Sequence, residues 1–271
     1  MIRVELASLL RRRRTWVTIA MLNALPLVVA VLLALTAIGP RPGTGPPFLS
    51  AVLTDGTLFP LAALGIVLPL FLPIAVAVIA GDTIAGEAQN GTLRYLLIRP
   101  VGRTRLLAAK LIAVVVFVLV AVLIVAALAY AEGRLLLGDG SPTGTVTSVS
   151  GSTLTQAETI QRTLLALGYV TFMMLGVAAI ALFLSTLTEA GLTAALGTIA
   201  ILIGSTVLLG LDAADVLQPY LPTRYWLAFV DLFRDPIRWG DLIRGIAAQT
   251  AYLVVFVGAA WANFSTKDID T

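Results

Sequence analysis

Six long apolar runs, separated by shorter polar stretches, constrain the fold of this chain more than any other feature. Each run holds roughly the 20 apolar residues that a helix needs to cross the hydrocarbon core of a bilayer. The pattern predicts an all-α integral membrane protein with six transmembrane helices, forming a single transmembrane domain over residues 1–271. The predicted spans are residues 16–38, 58–80, 111–130, 164–185, 191–211 and 246–264.

The composition excludes a soluble globular protein. Hydrophobic residues make up 59% of the chain and charged residues 12%, and the mean hydropathy is +0.98. The net charge of +3 is typical of some nucleic-acid-binding proteins. However, the basic residues lie at the ends of apolar runs and not on one face with interleaved aromatic residues. We therefore expect membrane lipid and no nucleic acid as a partner.

The distribution of Lys and Arg predicts the orientation in the membrane. Five precede the first span and five lie in residues 81–110, against one in residues 39–57. Over the whole chain the predicted inner segments hold 11 and the outer segments 7. Because cytoplasmic loops carry the excess of basic residues, both termini are expected in the cytosol, in the cytoplasmic (inner) membrane. The first apolar run is longer than the core of a signal peptide and is therefore a retained span.

Residues 1–15 have the pattern of an amphipathic helix lying along the inner leaflet. Arg3 and residues 11–14 surround its apolar side with positive charge. A simple positive anchor that orients the first span is an equally good interpretation. The apolar side is formed by Ile2, Leu6, Leu9 and Leu10.

Residues 81–110 form a polar and basic stretch between two apolar runs, which predicts a cytosolic loop lying in water. Gly86 and Gly91 bracket a short polar segment, and Thr92 can cap a helix that follows it. Leu93, Leu96 and Leu97 fall on one face at helical spacing. This apolar ridge would fit a groove on a separate cytosolic protein.

The order of residues in this loop resembles the cytosolic coupling loop of the permease subunits of ABC type-2 exporters. The matching positions are Glu87, Asn90, Gly91, Thr92, Leu93, Leu96, Leu97, Pro100, Arg103 and Lys110. The end of the chain, Phe264-Ser265-Thr266-Lys267-Asp268-Ile269, is similar to the family's "F-x-x-(K/R)-D-I" close.

The resemblance implies a membrane permease subunit without catalytic activity of its own. A separate cytosolic ABC ATPase, which binds ATP and Mg²⁺, would power it, and a second permease copy or a paralogue would complete a dimer. All of the matching positions listed above, except Lys110, would contact the ATPase. The N-terminal segment would also brace the ATPase, and the link 186–190 would form a minor second contact.

The second predicted span contains Pro60, Pro69 and Pro73 and the flexible Gly65. Each proline removes a backbone donor, so we expect this helix to be kinked. A kinked span is tolerated where it lines a pathway, because water or neighbouring helices satisfy the freed carbonyls. Prolines that only shape helix packing explain the pattern equally well.

Two outer segments are distinctive. Residues 138–155 hold 13 Gly, Ser or Thr, which predicts a mobile or weakly β-like loop, and Thr155 with Glu158 fits a capping box for the fourth span. Residues 212–245 are aromatic-rich and are expected to dip into the outer leaflet, whereas the family resemblance implies a re-entrant pair of short helices. The aromatic rings are those of Tyr220, Tyr225, Trp226, Phe229, Phe233 and Trp239.

Catalytic chemistry finds no support in the sequence. There is no histidine and no cysteine, no GxxxxGK followed by Ser or Thr, and no Ser-Lys dyad or acid pair within the spans. We therefore expect no catalytic residues, no metal and no cofactor bound by this chain. The absence of clear intramembrane charges also disfavours an ion-coupled secondary carrier.

A small set of polar and sulfur-containing positions near the middle of the spans is a candidate substrate pathway. These side chains suit a hydrophobic or amphipathic substrate better than a charged one. Tight packing of small residues is the stronger alternative for several of them. The alternative functions left open are a non-transporting scaffold or sensor and a secondary carrier of ions or drugs. The candidate pathway residues are Asn23, Thr171, Met174 and Thr198.

Overall fold

The structure is a computed structural model that describes residues 2–36, 38–39, 46–53, 55–89, 103–138 and 146–266. Within those residues the helices are α1 (Ile2–Arg11), α2 (Arg13–Thr36), α3 (Phe59–Val67), α4 (Phe71–Gly81), α5 (Ala85–Gln89), α6 (Arg103–Glu132), α7 (Gln156–Leu187), α8 (Gly191–Leu209) and α9 (Trp239–Thr266). A π-helical turn covers Gly133–Leu137, and short 3₁₀ segments cover Gly56–Leu58, Asp212–Ala214, Gln218–Tyr220 and Trp226–Phe233. Strands β1 (Val146–Thr147) and β2 (Thr153–Leu154) pair in antiparallel register.

The described helices confirm an all-α membrane protein. Five of them are long and apolar enough to cross a bilayer, namely α2, α6 with its π-helical extension, α7, α8 and α9. The pair α3–α4 passes the same test together but is bent by 62° at a short break, as a broken span or a re-entrant loop. The chain therefore has five such spans among its described residues, or six when the bent pair counts as one.

The predicted kink in the second span is confirmed and is a complete break. Pro69 lies in the gap, and Leu70 leaves the helical region with φ −139° and ψ −58°. Pro73 follows in the first turn of α4, where its missing N–H costs little. Pro60 lies in the first turn of α3 in the same way and does not bend it. The break therefore follows from Pro69 rather than from all three prolines equally.

The bent pair and α7 form the centre of the molecule. Leu64 of α3, Leu72 and Val76 of α4 and Ala178 of α7 are almost wholly buried. α7 packs against α4, α8 and α9, and α3 packs against α6. The outward faces of α2, α8 and α9 carry exposed aliphatic side chains, which suits contact with lipid.

The segment before α7 folds as the sequence indicates. The N–H of Thr155 donates to Glu158 Oε2 at 2.9 Å, and Thr155 Oγ1 accepts from the N–H of Glu158 at 3.3 Å. This is the predicted capping box, and it satisfies two donors at the start of α7. The two-residue strands β1 and β2 are the weak β structure that the Gly, Ser and Thr content indicates.

The prediction that six aromatic rings of residues 212–245 dip into the outer leaflet is wrong for four of them. Tyr225, Trp226, Phe229 and Phe233 are buried, whereas Tyr220 and Trp239 are exposed. The segment folds back as 3₁₀ turns onto α7, whose Tyr169 hydroxyl donates to the Tyr225 carbonyl at 2.8 Å. Phe233 also packs edge-on against Phe48 at 5.0 Å between ring centres. These four rings therefore pack inside the protein and not in the lipid.

Candidate functional site

A buried lysine connects the two ends of the polar segment that joins α5 to α6. Lys110, on the second turn of α6, is 1% exposed, and its Nζ lies 2.6 Å from Glu87 Oε1 on α5. The same ammonium donates to the Thr83 carbonyl at 2.7 Å and lies 3.8 Å from Glu5 Oε1 on α1. A buried charge is stable only when it is paired and hydrogen-bonded, and these contacts supply both.

Asp82 provides a second ionic link between the same regions. Its carboxylate lies 3.1 Å from Arg14 Nη1 and 3.4 Å from Arg12 Nη1, at the junction of α1 and α2. The arginine side chains are about half exposed, so each contact alone contributes little to stability. Together with Lys110, however, they hold the N-terminal helix against the turn that follows α4.

Ser185 of α7 holds that turn from the opposite side. Its hydroxyl donates to the Gly81 carbonyl at 2.6 Å and accepts from the N–H groups of Ile84 and Ala85 at 3.1 and 2.9 Å. Two donors at the start of α5 are thereby capped by a side chain from another helix. We call Glu5, Asp82, Glu87, Lys110 and Ser185 the loop base.

The end of α9 is attached to the start of α6. Arg103 Nη1 donates to the Ser265 carbonyl at 3.0 Å, and Trp261 Nε1 donates to Thr104 Oγ1 at 3.0 Å. Asn263 further donates to the carbonyl of Thr186 at the end of α7, at 3.1 Å. The residues that flank the segment between α5 and α6 are therefore bonded to a part of the molecule in which α1, α4, α6, α7 and α9 are joined.

This arrangement links several helices by ion pairs and hydrogen bonds. Its carboxylates are engaged by cations, and no nucleophile with an adjacent base is present in the loop base. Among the residues that the structure describes, no group of three or more His, Cys, Asp or Glu side chains could hold a metal ion.

Comparison with known families decides the classification. Residues 1–205 match the family model described as "ABC-2 family transporter protein". This chain belongs to the ABC-2 transporter family. A comparison with curated proteins gave no match. Membership in the ABC-2 family makes the chain the membrane permease component of an ABC transporter, and the matched residues include the whole loop base.

Most of the predicted ATPase-contact residues of this ABC-2 protein lie outside the described residues. These are Asn90, Gly91, Thr92, Leu93, Leu96, Leu97 and Pro100. Glu87 and Arg103 flank them, and their side chains are turned to internal partners, Lys110 and the Ser265 carbonyl. The prediction that residues 81–110 lie in water is wrong for Lys110, because α6 begins at Arg103 and carries Lys110 into the interior.

The four candidate pathway residues lie on three helices, with Asn23 on α2, Thr171 and Met174 on α7, and Thr198 on α8. Asn23, Thr171 and Thr198 each bond the carbonyl four residues earlier on their own helix, at 2.7, 2.8 and 2.9 Å. Met174 and Thr198 are wholly buried, Asn23 nearly so, and Thr171 partly. Their role in transport stays a prediction.

Sequence reasoning missed the loop base because its members are far apart in the chain. Ser185 bonds a carbonyl 104 positions away, and Lys110 bonds a carbonyl 27 positions away. A weak signal was available: Lys110 begins an apolar run, where a lysine needs either the interface or an acidic partner.

Proposed function

We propose that this chain is the permease subunit of an exporter that is driven by a separate cytosolic ATPase bound to residues 87–103. ATP and Mg²⁺ would bind to that ATPase and not to this chain. The observation that carries the proposal is the loop base together with the bond from Arg103 to the Ser265 carbonyl, which attach the two ends of the predicted contact segment to neighbouring helices. A segment with such a base can pass the movement of a bound partner to the spans.

The ion pair between Glu87 and Lys110 is the central element of this coupling. It is short at 2.6 Å, and the two side chains are only 12% and 2% exposed. Because a buried pair is geometrically stiff and costly to break, α5 and α6 should move as one unit. Closure of the ATPase subunits would shift this unit and tilt α4 and α7 through Ser185, opening the bundle alternately inward and outward.

The cargo that suits this chain is hydrophobic or amphipathic. The candidate pathway side chains are an amide, two hydroxyls and a thioether, all uncharged. The exposed aliphatic faces of α2 and α8 would meet lipid or a second permease, either a copy or a paralogue, in a dimer. Transport would run outward across the cytoplasmic membrane, with both termini of the chain in the cytosol.

Co-purification with the ATPase tests the proposal. The tagged chain is solubilised from its native membranes, and an ABC ATPase with a Walker A motif is sought in the complex together with ATP hydrolysis. Leu93→Asp places a charge on the apolar ridge and should remove the ATPase. Tyr95→Asp places the same charge on the opposite side of the predicted helix and should leave the complex intact.

The alternatives give different results in this experiment. A scaffold or sensor would retain a soluble protein that does not hydrolyse ATP, and a secondary carrier would purify without an ATPase and still transport its substrate. Either result, with well-folded protein, contradicts the proposal. Equal retention of the ATPase by Leu93→Asp and Tyr95→Asp would contradict the assignment of the ridge.

A further inference from the structure

The run of four arginines at the corner between α1 and α2 is divided into two pairs with different surroundings. Arg12 and Arg14 are turned to the Asp82 carboxylate, and their Nη1 atoms lie 3.4 and 3.1 Å from it. Arg11 and Arg13 are exposed, and neither has an acidic partner among the residues that the structure describes. Asp82 therefore engages one pair, and the other pair can meet an anion from outside the protein.

The corner itself is held by two side-chain hydrogen bonds. Thr15 Oγ1 donates to the Leu9 carbonyl at 2.7 Å, and Trp16 Nε1 donates to the Leu10 carbonyl at 2.7 Å. Both carbonyls belong to the last turn of α1, where a helix supplies no donor of its own. These bonds fix how the last residue of α1 lies relative to the first residue of α2, and each of those two residues is an exposed arginine.

Arg13 lies at the end of an exposed apolar face of α2. Val17, Met21 and Val28 follow it at helical spacing, so that all four residues lie on one face. These three apolar side chains are 56%, 69% and 53% exposed. Trp16, 50% exposed, lies beside them, and indole rings are enriched at the border between headgroups and hydrocarbon. An exposed face of this kind on a span meets lipid acyl chains, which places the guanidinium of Arg13 at the depth of the headgroups.

The charge around this corner favours a headgroup that is negative overall. Residues 2–16 contain five arginines and a single acid, Glu5, whose carboxylate lies 3.8 Å from Lys110 Nζ. A zwitterionic headgroup would bring an ammonium group of its own to the same surface, where it would be repelled. A phospholipid with a net negative charge therefore gains more from this surface than a zwitterionic one.

We propose that the corner between α1 and α2 binds the headgroup of one anionic phospholipid through Arg11 and Arg13. The lipid phosphate accepts hydrogen bonds from the two guanidinium groups, and the acyl chains lie along the exposed face of α2. The continuity of these charges with an apolar face of a span favours a lipid over a soluble anion or a cytosolic protein. The inference goes beyond the proposed transport function and does not depend on it.

Native mass spectrometry of the full chain in detergent, titrated with dioctanoyl phosphatidylglycerol, tests the site. We expect one lipid per chain to bind more tightly than any further lipids. Dioctanoyl phosphatidylcholine, which has the same acyl chains, should bind more weakly, and equal binding of the two lipids would overturn the selectivity for a negative headgroup. Inorganic phosphate should not displace the lipid, because it has no acyl chains. Displacement by phosphate would identify a site for the free anion and overturn the assignment to a lipid.

Arg11→Gln/Arg13→Gln tests the named residues. The dissociation constant of phosphatidylglycerol should rise about 25-fold, from a factor of about five for each arginine. Arg12→Gln/Arg14→Gln is the matched control, because it removes the same charge from the same run but from the side that faces Asp82. It should leave the dissociation constant nearly unchanged, and equal losses in the two variants would overturn the proposal and identify a diffuse basic surface. If the first variant does not fold, Arg13→Gln alone should raise the constant about fivefold, and no rise would overturn the site.

Other occupants of this surface give different results. If the surface holds the ATPase, Arg11→Gln/Arg13→Gln would release the ATPase from complexes in native membranes and leave lipid binding unchanged. If it holds a second copy of the chain, the same variant would dissociate a dimer and leave lipid binding unchanged. Either result overturns the proposal. Selective lipid binding by a chain that has no ATPase partner would support the lipid site and refute only the proposed function, whereas an ATPase complex that binds no phosphatidylglycerol would refute only the lipid site.

Discussion

At the scale of single residues, Lys110 is the side chain on which most contacts of the loop base converge. Replacing it by methionine keeps its length but removes the ammonium group that lies 2.6 Å from the Glu87 carboxylate, which is 12% exposed. Breaking a buried pair in this way costs about 3 kcal/mol, which lowers the Tm of a chain of this size by roughly 6–12 °C. Thermal unfolding followed by tryptophan fluorescence in detergent measures the shift.

The double variant Glu87→Gln/Lys110→Met is the control for that prediction. It removes both charges of the buried pair, and the Tm should recover part of the loss. A Tm for Lys110→Met equal to that of the unaltered chain would contradict the buried pair.

The partners of individual side chains were also the features that the sequence predicted least well. It identified Glu87 and Arg103 as members of the coupling segment but assigned their side chains to an external partner. In the structure both side chains have internal partners, which lie in other helices. Pairings over such separations follow from how the helices pack, and neither spacing nor composition encodes them.

At the scale of elements, α7 and α9 approach each other closely at Gly176. A Cβ at that position would collide with Oε1 of Gln249, whose Nε2 donates to the Pro222 carbonyl at 2.8 Å. Gly176→Ala should therefore push the Gln249 amide away from the Pro222 carbonyl and loosen the 3₁₀ segments that this bond holds. An overpacked contact costs about 1–3 kcal/mol, which lowers the Tm by roughly 2–12 °C.

Gly168→Ala on the same helix is the matched control. A Cβ at Gly168 meets nothing within 4 Å, and alanine favours the helix over glycine. Its Tm should stay the same or rise. Equal Tm values for the two alanine variants would show that the contact between α7 and α9 is looser than the structure indicates.

Elements were predicted well where one local rule decides them. Apolar run length indicated the spans, the three prolines of the second span indicated a kink, and Thr155 with Glu158 indicated the start of α7. The aromatic residues 225–233 were misplaced because a ring suits lipid and a protein core equally. Only the tertiary contact with α7, through Tyr169, shows that a protein core surrounds them.

At the scale of the whole molecule, the fold is a bundle whose central helices are joined at one end by the loop base. The opposite end is closed by the 3₁₀ segments, which Arg162 of α7 holds through the carbonyls of Leu232 and Arg234, at 3.1 and 2.8 Å. A force applied at the loop base can therefore reach the opposite end of the bundle through α7. The proposed function requires that an ATPase applies that force.

Cysteine cross-linking to the ATPase tests this claim most directly, because the natural chain contains no cysteine. Gln89→Cys, at the exposed end of α5, is compared in native membranes with Val149→Cys, which is 44% exposed on the predicted outer side. The account predicts that Gln89→Cys forms a cross-linked product with an ABC ATPase, that ATP changes its yield, and that Val149→Cys forms none. A product from Val149→Cys, or none from Gln89→Cys, would contradict the account.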